Sequence, residues 1–98
     1  FSHSQRILFQ CDGLGAEVVM GNQIDGQVGT LCTVTFGAAF KSTTLRAGEL
    51  SNFLDMSDDL LTEPLEISDG RLSTRQVPGI GIDIDPEKLA RYRLDQGN

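Results

Sequence analysis

Two acidic residues stand where chemistry could be done. Glu49 directly follows Gly48 just beyond a short apolar segment, at what would be its carboxyl end. Folds built from parallel strands and helices place ligands and catalytic groups at such strand ends. A carboxylate there can orient a substrate, accept a proton or pair with a lysine from another strand. An exposed loop carboxylate fits the position equally well. Asp25 lies in the polar, glycine-rich loop GNQIDG that follows another apolar segment. It is either a turn-former whose side chain bonds its own backbone or a residue facing substrate.

Other chemistries lack their parts. His3 is the sole histidine and stands at the start of the chain, so no Ser-His-Asp or Cys-His pairing can be built on it. Lys41 and Lys88 fall on predicted helices and are poorly placed as bases. Gly13-Leu14-Gly15 precedes a predicted strand and does not follow one, so it signals no dinucleotide site. Asp55, Ser57 and Asp59 mimic the start of a calcium loop, but Leu60 stands where that loop needs glycine. Cys11 and Cys32 form neither a CxxC pair nor a ligand cluster. They are expected as reduced, buried thiols, and no metal site is expected within the chain.

The elements that must position these carboxylates follow from periodicity. Ile7, Leu8 and Cys11 recur at helical spacing, predicting a helix over 4–12 that Gly13 and Gly15 stop. The run Ala16–Met20 reads as a strand buried on both faces, as in a parallel sheet flanked by helices. A second helix is predicted over 27–41, with Val28, Leu31, Cys32, Thr35, Ala38 and Ala39 on one side. Gly29 and Gly37 each weaken it by roughly 1 kcal/mol relative to alanine, so they mark close packing. A second strand is predicted over 43–47, ending at Gly48-Glu49. This alternation is the repeat unit of a parallel α/β protein, and two such strands need neighbours to make a stable sheet. The remainder changes character. Residues 64–73 read as a hairpin turning at Asp69-Gly70, a pair suited to positive φ. Residues 77–81 form a kinked connector, and 82–84 alternate like a short strand. Asp85-Pro86 caps and opens a last helix with Leu89 and Tyr92 on its apolar face.

Composition bounds the whole. Ninety-eight residues with 39% hydrophobic content supply one modest core at most, since a chain this short buries roughly 60–65% of its unfolded surface. A complete (β/α) barrel needs about 250 residues, and Phe1 in place of Met raises the expectation of a cut or processed end. The net charge of −6 argues against a nucleic-acid partner, whose binder must neutralise phosphates. No apolar run approaches the ~20 residues of a membrane span and no leader opens the chain, so a cytoplasmic protein without a membrane partner is expected. The acidity is local. Residues 49–70 hold seven acids and no base, either as a solvated connector or as a surface for a basic partner, which would make the chain a non-catalytic acidic interaction module.

Several segments, in this order and spacing, resemble one family. Met20–Thr30 (MGNQIDGQVGT) resembles the surroundings of the seventh barrel strand in the muconate-lactonizing subgroup of the enolase superfamily, and Arg46–Asn52 the end of the eighth. Leu60–Leu65, Asp69–Leu72, Pro78–Asp83 and Asp85–Tyr92 resemble that subgroup's carboxyl end. The resemblance implies a fragment of a bidomain enzyme. Residues 1–60 would be the end of a (β/α)₇β-type TIM barrel, and 61–98 a tail returning to the α+β capping domain. It further implies Mg²⁺ or Mn²⁺ held by carboxylates upstream, a small dicarboxylate substrate and a homo-oligomer when full length. The implied reaction is interconversion of cis,cis-muconate and muconolactone in catechol degradation through an enolate, with the fragment alone inactive. Glu49 matches the subgroup's acidic residue at the end of strand 8, implying a catalytic role. Asp25 stands where many relatives have glutamate and would contact substrate with a shorter reach. Dipeptide epimerases and N-acylamino-acid racemases share the superfamily and are the nearest alternative.

Overall fold

The computed structural model describes residues 1–95. Helix α1 spans Ser2–Leu14 and closes at Gly15, whose φ of 69° is left-handed. The Gly15 N–H donates to the Asp12 carbonyl and the Ala16 N–H to the Cys11 carbonyl, which satisfies the carbonyls a helix end leaves open. Gly13 therefore lies inside the helix, and only Gly15 stops it. Leu8 is buried and Cys11 half-buried, whereas Ile7 of the expected face is 61% exposed.

Helix α2 spans Gln27–Ala38 and buries Thr30, Leu31, Val34 and Gly37. This stripe overlaps the expected one only at Leu31. The helix is apolar nearly all round, so periodicity alone could not orient it; hydrogen bonds and a close approach do. The Thr30 hydroxyl donates to the Gly26 carbonyl at 2.8 Å, which lets a threonine be buried without loss. Gly37 packs on Met20, whose Cγ would lie 3.3 Å from a Cβ placed there.

The predicted strand over 43–47 does not form. Phe40 is extended and ends the helical run, and Lys41–Thr44 then make one turn of helix, α3. The Thr43 hydroxyl lies 2.5 Å from the Gly37 carbonyl and 2.9 Å from that of Phe40, binding the turn to the end of α2. The paired segment lies further on. Gly21 and Glu49 form a parallel bridge: the Glu49 N–H donates to the Met20 carbonyl and the Asn22 N–H to the Glu49 carbonyl, each at 3.0 Å. Ala16–Met20 leads into this bridge without a ladder of its own among the described residues, and Val19 is 56% exposed. Met20 packs on Gly37 of α2, but burial on both faces needs helices on both sides and flanking strands, which the described residues do not supply here.

In the tail the predicted turn and helix start form, whereas the strands of the hairpin over 64–73 and the strand over 82–84 are reduced to single bridges among the described residues. Ser68 and Arg71 exchange both backbone hydrogen bonds across Asp69 and Gly70, whose φ values of 52° and 70° suit the tight turn. Residues 82–84 find their partner in Leu61, which bridges antiparallel to Ile84. Helix α4, Pro86–Tyr92, opens on Asp85, whose carboxylate accepts from the Glu87 and Lys88 N–H groups. Leu89 and Tyr92 are 42% and 47% exposed, so the expected apolar face is uncovered.

Buried apolar side chains are few: Leu8, Leu31, Val34, Phe53 and Leu61. The radius of gyration is 15.3 Å, against about 13 Å for a compact domain of this length. The accessible surface is 7267 Å², where roughly 5,500 Å² is expected of a folded monomer of this mass. The chain leaves apolar surface open instead of closing a core of its own.

Candidate active site at the paired strand ends

Alternation across the parallel pair separates two faces. Met20 and Asn22 point toward α2: Met20 packs on Gly37, and Asn22 bonds to Thr30 and Thr33. Gly21 lies between them and points the other way, and its bridge partner Glu49 shares that direction. Glu49 is exposed and makes no ion pair or side-chain hydrogen bond with the described residues. Gly21 beside it leaves space open, with nothing within 4 Å of a Cβ placed there. Gly48 is required by the pairing itself, because a Cβ at that position would lie 2.9 Å from the Met20 carbonyl oxygen. The fold thus fixes the Glu49 backbone from both sides and presents its carboxylate on the face turned away from α2.

Asp25 is placed differently. Its Oδ2 accepts the Gln23 N–H at 3.3 Å, two residues back, whereas the expected turn-forming bond would run to the Gln27 N–H, which Asp59 takes instead. Its Oδ1 lies so close to α2 that a Cβ on Gly29 would come within 3.1 Å. No hydrogen bond joins Asp25 to Glu49 among the described residues.

Two acids of the acidic segment are tied into the fold. Asp59 is buried, with Oδ2 accepting the Gln27 N–H at 2.8 Å and Oδ1 accepting the Leu60 N–H at 2.8 Å. It caps α2 from a distant part of the chain. A sequence signal for this existed: Gly26 offers α2 no side-chain cap, so its first N–H groups need an acceptor from elsewhere. Gln27 completes the joint by accepting the Leu65 N–H at 2.7 Å through its Oε1. Asp58 receives the Tyr92 hydroxyl at 2.6 Å and the Lys88 Nζ at 3.1 Å, with Arg91 at 3.6 Å. The Tyr92 hydroxyl, the Asp59 N–H and Lys88 together lower the Asp58 carboxyl from 3.8 to about 2. Asp58 and Asp59 are thus committed internally, whereas Glu49, Asp55, Glu63, Glu66 and Asp69 are exposed. Among the described residues no group of three or more His, Cys, Asp or Glu side chains could hold a metal ion. Cys11 and Cys32 are free thiols, each half-buried.

Two larger hollows flank the site without containing it. One, of about 730 Å³, runs between α2, the Thr43–Gly48 segment and the Asp69-Gly70 turn. The other, of about 740 Å³, lies between the start of α2, residues 55–60 and Tyr92. Neither is lined by Glu49 or Asp25.

The family model described as "Enolase C-terminal domain-like" matches residues 1–88. The chain belongs to the enolase C-terminal domain-like family. Within that family it is 33% identical over 93 residues to muconate cycloisomerase 1-1 of Acinetobacter lwoffii, covering 94% of this chain and 24% of that protein. Muconate cycloisomerase 1 of Pseudomonas putida is 26% identical over 81 residues, covering 83% of this chain and 21% of that protein. The crystal structure of a muconate lactonizing enzyme from Mycobacterium smegmatis, complexed with muconolactone, superposes with a TM-score of 0.94 at 65% identity, over 97% of this chain and 26% of that one. The chain therefore spans about a quarter of the length of the relatives it matches. Its fold is that of the carboxyl-terminal part of the muconate lactonizing barrel, as the resemblance implied.

Proposed function

We propose that this chain is the carboxyl-terminal part of a muconate cycloisomerase that interconverts cis,cis-muconate and muconolactone, with Glu49 in its active site. One observation carries the site assignment: the parallel bridge to Gly21 fixes Glu49 and presents its carboxylate, unpaired, on the open face at the strand ends. The 65% identity over 97% of the chain to a lactonizing enzyme supports the reaction. Residues 1–60 then supply the last strands and helices of the barrel, and 61–98 the segment that joins the capping domain.

Electrostatics narrows what Glu49 does. The substrate is a dicarboxylate, and two like charges 4 Å apart cost about 1 kcal/mol in water and about 4 kcal/mol at an effective dielectric of 20. Glu49 therefore faces a cationic or proton-bearing group in the closed site, and does not touch a substrate carboxylate directly. In that place it holds a neighbouring lysine charged, or carries a proton that the reaction moves. The residues described here do not form a metal-binding group, so we assign the ligands for Mg²⁺ or Mn²⁺ to other parts of the enzyme. Asp25, in the loop above the strand end, contacts substrate in the same site.

The test uses the full-length enzyme with cis,cis-muconate and Mn²⁺, following loss of the diene absorbance. Turnover is expected, and Glu49→Gln should lower kcat by about 10²–10⁴-fold, the range for loss of a positioned acid–base group. No turnover of muconate, alongside racemisation of a dipeptide, overturns the reaction; full kcat in the Glu49→Gln variant overturns the site.

A further inference from the structure

Resting on the assignment of Glu49, we infer that Asn22 is its positioning residue, acting through the backbone. Asn22 is a half-buried polar residue on the α2-facing side of its strand end, where its neighbour Met20 packs apolar surface. A polar side chain there is costly unless every group is paired, and this one is. Its Nδ2 donates to the Thr30 Oγ1 at 3.0 Å, and its Oδ1 accepts from the Thr33 Oγ1 at 2.9 Å.

The direction of these bonds is fixed. A threonine hydroxyl has one proton, and that of Thr30 is given to the Gly26 carbonyl at 2.8 Å. Thr30 can then only accept, so the amide nitrogen of Asn22 must face it; the amide oxygen then faces Thr33, whose one proton it shares with the Gly29 carbonyl at 3.1 Å. Thr30 is fully buried, and Thr33 lies one turn along the same helix face. The side chain is thus held at two points on a rigid helix. Its backbone N–H, in the same residue, donates to the Glu49 carbonyl at 3.0 Å. α2 therefore sets the position of Glu49 through Asn22, with no side-chain contact between the two residues.

The experiment compares Asn22→Ala, Glu49→Gln and the double variant in the full-length enzyme, measuring kcat, KM and the thermal midpoint. Misplacing a reacting group by an ångström costs up to about 100-fold, so Asn22→Ala should lower kcat about 10- to 100-fold with KM within about threefold. The double variant should be no slower than Glu49→Gln alone, because Asn22 acts only through Glu49. Should Asn22→Ala fail to fold, Thr33→Val removes one of the two anchors, together with the bond of that hydroxyl to the Gly29 carbonyl within α2, and should still lower kcat about threefold. Losses that multiply in the double variant mean a general structural role and overturn the inference, as does wild-type kcat in Asn22→Ala while Glu49→Gln is impaired. If Glu49→Gln keeps full kcat, the assignment of Glu49 falls and the inference falls with it.

Discussion

At Gly48 a single hydrogen atom decides whether the strand ends can meet. A methyl group there would sit 2.9 Å from the Met20 carbonyl oxygen, the same oxygen that accepts the Glu49 N–H. Backbone cannot yield as a flexible side chain would. Gly48→Ala should therefore cost about 1–3 kcal/mol, as over-packing does, and lower activity through Glu49. Denaturant unfolding of the full-length enzyme, with kcat measured beside it, checks both. Asp58 gives a pH prediction of definite sign. Its carboxyl is lowered from 3.8 to about 2 by Tyr92, the Asp59 N–H and Lys88. A depressed carboxyl contributes stability in full above its unfolded value and loses it as pH falls through the folded one. The anchoring of α4 should thus weaken between pH 3.8 and about 2, and Asp58→Asn should remove that dependence. Hydrogen exchange at the Leu89 amide, which bonds to the Asp85 carbonyl, reports the anchoring.

Helix α2 shows how an element can be legible while its orientation is not. Its start and its end within three residues followed from Gly26 and the apolar run. The buried stripe is turned away from the expected one, sharing with it only Leu31, because the helix is apolar nearly all round; Gly37, expected at a close approach, is found at one. What turns the helix is the hydrogen-bond set at its N-terminal half and the approach of Met20 at Gly37. The cap is likewise remote. Asp59→Ala would strip acceptors from the Gln27 and Leu60 N–H groups and should destabilise the protein by about 1–2 kcal/mol. Asp59→Asn, which keeps one acceptor oxygen, should recover part of this. Equilibrium unfolding in urea distinguishes the two. Leu31, fully buried at the centre of the stripe, should cost more on truncation to alanine, about 2–5 kcal/mol.

For the molecule as a whole, the expanded radius and excess surface predict that these 98 residues alone will not unfold cooperatively. Circular dichroism on heating should give a broad or absent transition; a sharp one would establish an autonomous domain. The sequence by itself determined the features that depend on neighbours in the chain. These are the αL stop at Gly15, one of the two glycines expected to end α1, the Asp69-Gly70 turn and the Asp85-Pro86 helix start. Each follows from φ preference or capping, which act over a few residues. Tertiary structure decided the rest: the shift of the second pairing segment from 43–47 to Glu49, the burial of Asp59 and the two-point hold on Asn22. These depend on hydrogen-bond partners up to 32 residues away, whose choice rests on which donors are left unpaired after the local structure has formed.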